Sequence, residues 1–270
     1  MSQLAGKKAV VLGAAAARGS GGTIARQLVE AGCDVVIGDV RTQLLNEYAG
    51  LIGAIDVPCD ATDEAQVKRL ADTALERMGR VDIAINAAGA PLRATIADAT
   101  REQMQQQLDL NYFAHVFFIR HMARVMQRDG SITVVTSMAG TCVTDGTVFP
   151  YSCAKAAANC LVQCAAIEYG PRNIRVNAIL PGAIESDASR GLFDNPRLRH
   201  AFEKEVPLGR IAQPEDIANA ALWLAGPAFA TGLLLQINGG NFLTRFPTPA
   251  EVGGGKAYDL RPRTTVQHLT

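Results

Sequence analysis

The 270-residue sequence predicts an α/β protein, a single doubly wound domain whose seven-stranded parallel sheet carries helices on both faces. Short runs of β-branched and other apolar residues alternate with segments of helical periodicity, which is typical of a parallel sheet with crossover helices. Most positions of these runs are apolar, as expected for strands that are buried on both faces. Hydrophobic residues make up 48% of the chain, which is enough for a core of this size.

The apolar runs define the strands, and the periodic segments define the helices between them. The predicted strands cover residues 9–12, 35–37, 55–57, 81–85, 132–135, 174–179 and 233–237. The predicted helices cover residues 22–31, 64–78, 101–126 and 152–169. Such sheets bind ligands beyond the carboxyl ends of their strands, so we expect the functional residues in the loops there.

The predicted domain comprises residues 1–243, and it contains neither an internal repeat nor a linker. Residues 244–270 contain three prolines and three consecutive glycines but few apolar side chains. We therefore expect an irregular C-terminal tail.

Composition argues against several classes of partner. Basic and acidic residues number 26 each, so there is no charge excess of the kind that binds nucleic acid or a membrane surface. The apolar run near the N-terminus is five residues long, too short for a signal peptide or a membrane span. The six cysteines form no Cys-x-x-Cys motif, which favours free thiols in a reducing compartment. We therefore predict a cytoplasmic protein with no metal, nucleic-acid or membrane partner.

A glycine-rich segment, residues 13–22, joins the first predicted strand to the first predicted helix. Its glycines would let the backbone approach a pyrophosphate, and the helix N-terminus would supply amide donors, as in a Rossmann-type site. Asp39 ends the second predicted strand, twenty residues after Gly19. A carboxylate there can accept hydrogen bonds from both ribose hydroxyls of NAD and repels the 2′-phosphate of NADP. A turn or helix-cap role is the alternative for Asp39.

Arg18, in the same loop, bears on the choice of cofactor. Its guanidinium could pair with a 2′-phosphate, or it could be a solvated loop residue. A buried carboxylate facing a phosphate is the costlier mismatch, so Asp39 predicts NAD and makes NADP less favoured.

Tyr151 and Lys155 are four residues apart, a spacing that puts both on one face of a helix. A lysine ammonium beside a phenol favours the phenolate and lowers a pKa that is ordinarily about 10. The pair would then supply a general base near neutral pH, and Ser137, at the end of a predicted strand, could bind the reacting oxygen. The spacing alone is also common by chance, so the interpretation depends on the remaining motifs.

Taken in order, these motifs resemble the short-chain dehydrogenase/reductase family of the Tyr-x-x-x-Lys type. The resemblance covers about residues 7–242. Asn-Ala-Ala-Gly at residues 86–89 is similar to the family's Asn-Asn-Ala-Gly after the fourth strand. Asn111, Ser137, Tyr151 and Lys155 match the family's catalytic tetrad.

The resemblance also implies a set of cofactor contacts. Asp60 matches the acid that contacts adenine, and the Pro-Gly segment at residues 181–186 matches the segment beside the nicotinamide. The implied set is Gly13, Arg18, Gly19, Ser20, Gly21, Asp39, Val40, Asp60, Ala61, Asn86, Ala87, Gly89, Tyr151, Lys155, Pro181, Gly182, Ile184 and Ser186. The loop departs from the family pattern, because five residues rather than three separate Gly13 from Gly19.

The implied reaction is hydride transfer between NAD and the carbinol carbon of a secondary alcohol, which becomes a ketone. Tyr151 would exchange the hydroxyl proton, and Lys155 would lower the tyrosine pKa and hold the nicotinamide ribose. Ser137 would bind the substrate oxygen, and Asn111 would position a water that relays the proton. The alternatives are an NADP-dependent carbonyl reductase of the 3-oxoacyl type, a catalytically idle NAD-binding module, and halohydrin dehalogenation on the same fold.

Two further expectations concern the substrate and the assembly. Residues 90–92, 141–149 and 184–202 are the predicted pocket walls, and their composition suggests an apolar alcohol or ketone. Arg93 and Arg190 could bind an anionic group, although single surface arginines are usually solvated. The helices at 101–126 and 152–169 are apolar nearly all round. In the family such helices pack against another subunit, so the resemblance implies a homotetramer.

Overall fold

The computed structural model describes residues 3–142, 147–248 and 251, and its strands form one parallel sheet. The strands are β1 (Lys8–Leu12), β2 (Asp34–Asp39), β3 (Ile55–Pro58), β4 (Ile83–Asn86), β5 (Ser131–Val135), β6 (Arg175–Pro181) and β7 (Leu234–Ile237). Their order across the sheet is β3-β2-β1-β4-β5-β6-β7, and all neighbouring pairs are parallel. The order reverses between β1 and β4, where doubly wound sheets bind ligands. The predicted fold class is confirmed.

Helices cover both faces of this sheet. They are α1 (Ser20–Glu30), α2 (Thr42–Ile52), α3 (Glu64–Met78), α4 (Arg101–Leu108), α5 (Ala114–Met126), α6 (Phe149–Tyr169), α7 (Arg190–Phe193), α8 (Pro196–Glu203) and α9 (Pro214–Ala225). Apolar residues of α3, α5 and α6 form one core layer, and those of α1, α2 and α9 form the other.

The β1 strand shows why a strand of this sheet can be apolar at consecutive positions. Val10 and Leu12 pack into the layer of α3, α5 and α6, whereas Ala9 and Val11 pack into the layer of α1, α2 and α9. Burying one such valine or leucine stabilises the fold by about 1.5–3 kcal/mol. The two layers thus fix the sheet whose carboxyl edge carries the site.

The helices differ from the prediction in two respects. Residues 101–126 are helical from end to end, but a π-helical turn, Asp109–Phe113, separates α4 from α5. The helices α2, α7, α8 and α9 were not predicted. In α2 only Leu45, Tyr48 and Ala49 are buried, so the helix shows a single short apolar stripe.

Residues 244–248 of the predicted tail contain neither helix nor strand, and residues 249–250 and 252–270 lie outside the described part of the chain. Glu251 is described and forms ion pairs with Lys204 and Arg245. Among the helices of the described ranges, none combines the length and the apolar character needed to cross a bilayer.

Candidate active site

Tyr151 and Lys155 lie on the first turns of α6, where Pro150 occupies the helix start that its fixed φ favours. Lys155 is 2% exposed, and its Nζ donates a hydrogen bond of 3.2 Å to the carbonyl of Val135, the last residue of β5. The same Nζ lies 5.6 Å from the centre of the half-buried Tyr151 ring. The predicted pair therefore shares a helix face at the carboxyl edge of the sheet.

The pKa values of this pair differ from the prediction. Burial lowers the pKa of Lys155 to about 7. Burial also raises the pKa of Tyr151, and a hydrogen bond with Ser137 offsets only part of that rise. The expected lowering of the tyrosine pKa by Lys155 is therefore wrong for the protein without ligands. Both groups are withdrawn from water, and the ammonium that should favour the phenolate is itself easily deprotonated.

Ser137 follows β5 and begins a short 3₁₀ turn, Met138–Gly140. Its Oγ accepts a hydrogen bond of 3.1 Å from the Ala139 N–H, and its hydroxyl is hydrogen-bonded to Tyr151. Gly140 allows α6 to pack directly on this turn, because a Cβ there would lie 2.7 Å from the Lys155 carbonyl carbon. The serine thus both caps the turn and faces the tyrosine.

Asn111 lies in the π-helical turn and is fully buried. Its Nδ2 donates to the carbonyl of Ala90 at 3.1 Å and to Oε1 of Gln107 at 3.2 Å. The same Gln107 oxygen accepts the Leu92 N–H at 3.2 Å, so Asn111 is tied to the loop after β4. Its Oδ1 is buried and has no hydrogen-bond partner among the described residues.

The Asn111 oxygen and the Lys155 ammonium nitrogen converge on Gly89. A Cβ built on Gly89 would lie 2.9 Å from Asn111 Oδ1 and 3.0 Å from Lys155 Nζ. A side chain at residue 89 would therefore obstruct both polar groups, and glycine leaves them accessible. Such a space between an amide oxygen and a cation fits the hydroxyls of a nicotinamide ribose.

Asn86, at the end of β4, is held by a buried histidine that the sequence did not single out. Asn86 Oδ1 accepts the Ala88 N–H at 2.9 Å, and its Nδ2 donates to His115 Nδ1 at 3.1 Å. Burial, and after it the charge of Lys155, holds the pKa of His115 well below its usual value. His115 is therefore a neutral acceptor that fixes the Asn86 amide, and with it the 86–89 segment.

The glycine-rich loop packs tightly enough to require glycine. Gly13 has φ +84°, and a Cβ there would lie 2.6 Å from the amide nitrogen of Ala88. A Cβ on Gly21 would lie 2.2 Å from the Gly13 carbonyl oxygen. Gly19 and Ser20 open α1, which has no side-chain cap in the described structure and no acidic residue in its first turn. This uncapped N-terminus at the switch between β1 and β4 fits a pyrophosphate.

Asp39, the last residue of β2, is 5% exposed and carries a dense set of hydrogen bonds. Its Oδ2 accepts the Ala15 N–H at 3.0 Å and Arg41 Nη2 at 2.8 Å. Its Oδ1 accepts the Arg41 N–H at 3.0 Å and Arg41 Nε at 2.9 Å. Burial alone would raise the pKa of Asp39, but these bonds outweigh it and hold the pKa below its usual value. Arg41 was not among the predicted site residues.

The backbone of Arg18 contacts the segment after β6. Its N–H donates to Asp187 Oδ2 at 3.2 Å, and the Asp187 N–H donates to its carbonyl at 3.3 Å. The Ser186 N–H in turn donates to Ser189 Oγ at 2.9 Å. The loop after β1 and the segment after β6 are therefore joined, and the contact is made by a residue of the lengthened stretch between Gly13 and Gly19.

The remaining predicted residues line the same edge. Asp60 forms a turn in which its Oδ1 accepts the Thr62 N–H at 2.9 Å, and Val40 is exposed beside it in the loop after β2. The buried Ala61 follows Asp60, and the Ala87 N–H donates to the carbonyl of Leu12 at 2.8 Å. The Pro-Gly segment leaves the end of β6 with Pro181 and Gly182, and Ile184 bridges to Ala212.

The substrate walls are described in part. Arg93 donates to Thr147 Oγ1, which joins the loop after β4 to the segment before α6. Arg199 of α8 forms two hydrogen bonds with Glu185, the shorter at 2.5 Å, and anchors the segment after the Pro-Gly turn. Residues 143–146 and the side chain of Arg190 lie outside the described structure.

Four residues near the site were missed by sequence reasoning: Arg41, Gln107, His115 and Asp187. Gln107 and His115 each stand four positions from Asn111, so helical spacing was a usable signal. Arg41 is two residues from Asp39, so its positive charge close to a strand-end carboxylate could have indicated an ion pair. Asp187 contacts a loop 169 residues away, and no local pattern indicates that contact.

Comparison with known proteins agrees with this geometry. A family model described as enoyl-(acyl carrier protein) reductase matches residues 13–241. The 7α-hydroxysteroid dehydrogenase of Escherichia coli K12 is 36% identical over 251 residues, covering 88% of this chain and 95% of that protein. The 3-oxoacyl-(acyl-carrier-protein) reductase of Thermotoga maritima is 31% identical over 248 residues, covering 88% and 98%.

A solved structure extends the likeness to three dimensions. A 7α-hydroxysteroid dehydrogenase complexed with NADH and 7-oxo-glycochenodeoxycholic acid superposes with a TM-score of 0.81 at 34% identity, covering 88% of this chain and 94% of that one. The family model's match, residues 13–241, includes the glycine-rich loop and the helix that carries Tyr151 and Lys155. The chain belongs to the short-chain dehydrogenase/reductase family of oxidoreductases.

Proposed function

We propose that the protein is an NAD-dependent oxidoreductase that interconverts a secondary alcohol and a ketone, with Tyr151 as general acid and base. The observation that carries the proposal is a continuous set of contacts at the carboxyl edge of the sheet. Ser137 is hydrogen-bonded to Tyr151, and Lys155 Nζ lies beside the Tyr151 ring. The same Nζ and Asn111 Oδ1 meet at Gly89. The relatives named above, a hydroxysteroid dehydrogenase and an oxoacyl reductase, support a hydroxyl or ketone as the reacting group.

The residues have distinct proposed roles. The bound nicotinamide supplies the hydride chemistry. Tyr151 accepts the substrate hydroxyl proton in oxidation and returns it in reduction. The Ser137 hydroxyl, already hydrogen-bonded to Tyr151, donates to the substrate oxygen as negative charge develops there. The pKa of Tyr151 is raised, so it is protonated at neutral pH in the free protein, which is the state needed for ketone reduction.

Lys155 would bind the nicotinamide ribose, and Asn111 would position the water that relays the proton. The Lys155 ammonium is aimed at the space beside Gly89, where it can donate to the hydroxyls of the nicotinamide ribose. Asn111 Oδ1 is buried there without a partner in the described structure, so it can accept a hydrogen bond from a water that passes the proton on from Lys155. Gln107 and Ala90 hold the Asn111 amide in that orientation.

Recognition of the remaining part of NAD would involve the other predicted positions. Amides at the start of α1 would bind the pyrophosphate, and Asp39 would accept the adenosine ribose hydroxyls. Asp60, Val40 and Ala61 would flank the adenine, and Ser186 with the Pro-Gly segment would contact the carboxamide.

The proposed assembly is a homotetramer in the cytoplasm. An isolated subunit exposes apolar residues in two groups: Phe113 of the π-helical turn with Ile167 of α6, and Trp223 of α9 with Phe229 beyond it. Two such groups suit the dihedral symmetry common among tetramers. The free thiols of all six cysteines suit a reducing compartment. A monomeric mass by light scattering at micromolar concentration would contradict the assembly.

Turnover is the direct test of the proposed function. The purified protein would be mixed with NAD or NADP and a panel of cyclic secondary alcohols, and with NADH or NADPH and the matching ketones. We expect cofactor absorbance to change with at least one cyclic alcohol–ketone pair and more rapidly with NAD than with NADP. NADH binding without turnover of any pair would favour an idle binding module.

One observation favours the second candidate, an NADP-dependent reductase of the 3-oxoacyl type. The Arg41 guanidinium lies directly on the proposed ribose acceptor Asp39, and guanidinium groups pair well with phosphates. A preference for NADPH together with reduction of a 3-oxoacyl thioester would establish this candidate over the first.

A further inference from the structure

The hydrogen bonds on Asp39 raise a question about how that residue can bind a ribose. A carboxylate offers about four acceptor positions, two on each oxygen. In this protein all four are used, by the Ala15 and Arg41 backbone N–H groups and by Nε and Nη2 of Arg41, at distances of 2.8–3.0 Å. A ribose that donates two hydroxyls to Asp39 therefore needs two of these donors to leave.

Only the guanidinium donors can leave without moving the main chain. The Ala15 N–H belongs to the glycine-rich loop, and the Arg41 N–H is set by the turn that follows β2. The Arg41 side chain is 45% exposed, and it stands at the residue before α2 without capping that helix. The Arg41 guanidinium can therefore rotate outward into solvent while the Ala15 and Arg41 N–H groups keep their hydrogen bonds to Asp39.

We propose that the Arg41 guanidinium competes with the adenosine ribose for Asp39, so that it weakens NAD binding and raises tolerance of the 2′-phosphate of NADP. The inference rests on the proposed function in one respect, that Asp39 is the ribose acceptor. It assigns to Arg41 the balance between the two cofactors, which Asp39 alone would set strongly in favour of NAD.

The charges around Arg41 support this exchange. The pKa of Arg41 is raised chiefly by its hydrogen bonds with Asp39 and additionally by the charges of Asp39 and Asp187. When ribose displaces the Arg41 guanidinium from Asp39, the guanidinium still interacts with the negative charge of Asp187. The free-energy cost of the displacement is therefore smaller than the loss of the whole ion pair with Asp39. With NADP, the fork would turn to the 2′-phosphate and pair with it through two parallel N–H bonds. The Asp39 carboxylate would keep its two backbone donors and would not face the phosphate uncompensated.

The test measures binding rather than turnover. NADH and NADPH would be titrated into the apo protein by fluorescence for the wild type, Arg41→Gln and Arg41→Lys. We expect Arg41→Gln to tighten NADH binding about fivefold, because about one net hydrogen bond no longer competes with the ribose for Asp39. The same variant should weaken NADPH binding about tenfold, because the 2′-phosphate loses its cationic partner. Arg41→Lys keeps the charge but loses the fork, so it should tighten NADH while leaving NADPH within about threefold of wild type.

A matched control separates this effect from a general loss of an ion pair. Arg80 and Asp82 form a similar pair two residues apart, just before β4 at the amino edge of the sheet, where Arg80 Nε lies 3.2 and 3.1 Å from the two carboxylate oxygens. Arg80→Gln should change neither dissociation constant. Circular dichroism of each variant would verify folding, and Arg41→Lys provides a second test should Arg41→Gln be unstable.

The outcomes distinguish the two levels of the proposal. Wild-type protein that binds neither NADH nor NADPH would contradict the proposed function itself. Wild-type protein that binds NADH, with unchanged or weaker NADH binding in Arg41→Gln, would overturn the competition and leave the proposed function standing. Unchanged NADPH binding in Arg41→Gln would likewise overturn the role assigned to Arg41 at the 2′-position.

Discussion

The Tyr151 end and the Asp39 end of the crevice are built by opposite means. At the Tyr151 end the polar groups are buried and incompletely paired: Asn111 Oδ1 and His115 Nε2 have no partner among the described residues. Burial also dominates the pKa values of Lys155 and Tyr151 and disfavours the charged form of each. At the Asp39 end every carboxylate position is paired, and Arg41 keeps the charged form of Asp39 favoured.

This difference indicates what each end is prepared to do. Rigid elements position the Tyr151 end: Gly140 packs under α6, and Gln107 and His115 fix the two asparagines. Its unpaired atoms are ready for partners that arrive with the ligands, so a substitution there should alter catalysis. The Asp39 end is held by a half-exposed ion pair whose donors are exchangeable, so a substitution there should alter affinity and cofactor choice.

The largest effect is expected for Tyr151→Phe. Removing the hydroxyl removes the proposed proton donor and acceptor, so turnover should fall roughly a thousandfold. The Asp39 end is untouched, and the dissociation constant for NADH should stay within about threefold of wild type. Steady-state kinetics and fluorescence titration measure the two quantities.

Tyr169→Phe, at the far end of the same helix, is the matched control and should leave both quantities unchanged. Wild-type turnover in Tyr151→Phe would mean that another group carries the proton. A large loss of NADH affinity in Tyr151→Phe would show instead that the two ends are not separable.

A smaller effect is expected on stability, from Lys155→Met. The pKa of Lys155 is about 7 in the folded chain and 10.5 ordinarily, so between these values the unfolded chain holds a proton that the folded chain has released. The wild type therefore gains stability as pH rises through this window, and below it the cost of the buried charge is fully present. The unfolding free energy of Lys155→Met should not rise with pH on account of this residue. At and below pH 7 the variant should be more stable than the wild type by about 2 kcal/mol, because a buried charge is removed although one hydrogen bond is also lost.

Urea unfolding of both proteins at a series of pH values tests this prediction. The difference in unfolding free energy isolates Lys155 from the cysteines and tyrosines that titrate in the same range. A difference that does not vary with pH would mean that the folded-state pKa of Lys155 is not lowered. The variant should be nearly inactive in either case.

The same contrast explains how much the sequence predicted. All seven strands were predicted at their positions. Burial on both faces leaves an apolar run such as that of β1, and the partly exposed edge strands β3 and β7 are still apolar at most positions. The proposed tetrad could be predicted because its members stand in short motifs that resemble those of the family, and the structure brings Asn111 and Lys155 together at Gly89. The Asp39–Arg41 pair could not be predicted from residue types, because the direction in which a guanidinium turns depends on the tertiary surroundings. The pKa of Tyr151 was mispredicted for the same reason, since spacing reports the neighbouring charge but not the loss of water.

The smallest effect is expected at Asp187, which joins the two ends. Its side chain accepts the Arg18 N–H, whereas its own N–H bonds to the Arg18 carbonyl and survives any substitution. Asp187→Ala should therefore weaken NADH binding by about threefold or less, mainly because NADH is released faster, which stopped-flow fluorescence measures. Turnover, which depends on Tyr151, should be unchanged. Asp187→Asn keeps an acceptor for Arg18 and loses only the charge that attracts Arg41, so it separates the two contributions. Faster NADH release in both variants would assign the effect to the charge of Asp187. Faster NADH release in Asp187→Ala alone would assign it to the hydrogen bond from the Arg18 N–H. A fall in turnover in either variant would show that the loop contact reaches the Tyr151 end, and the division between a catalytic end and an exchangeable end would then fail.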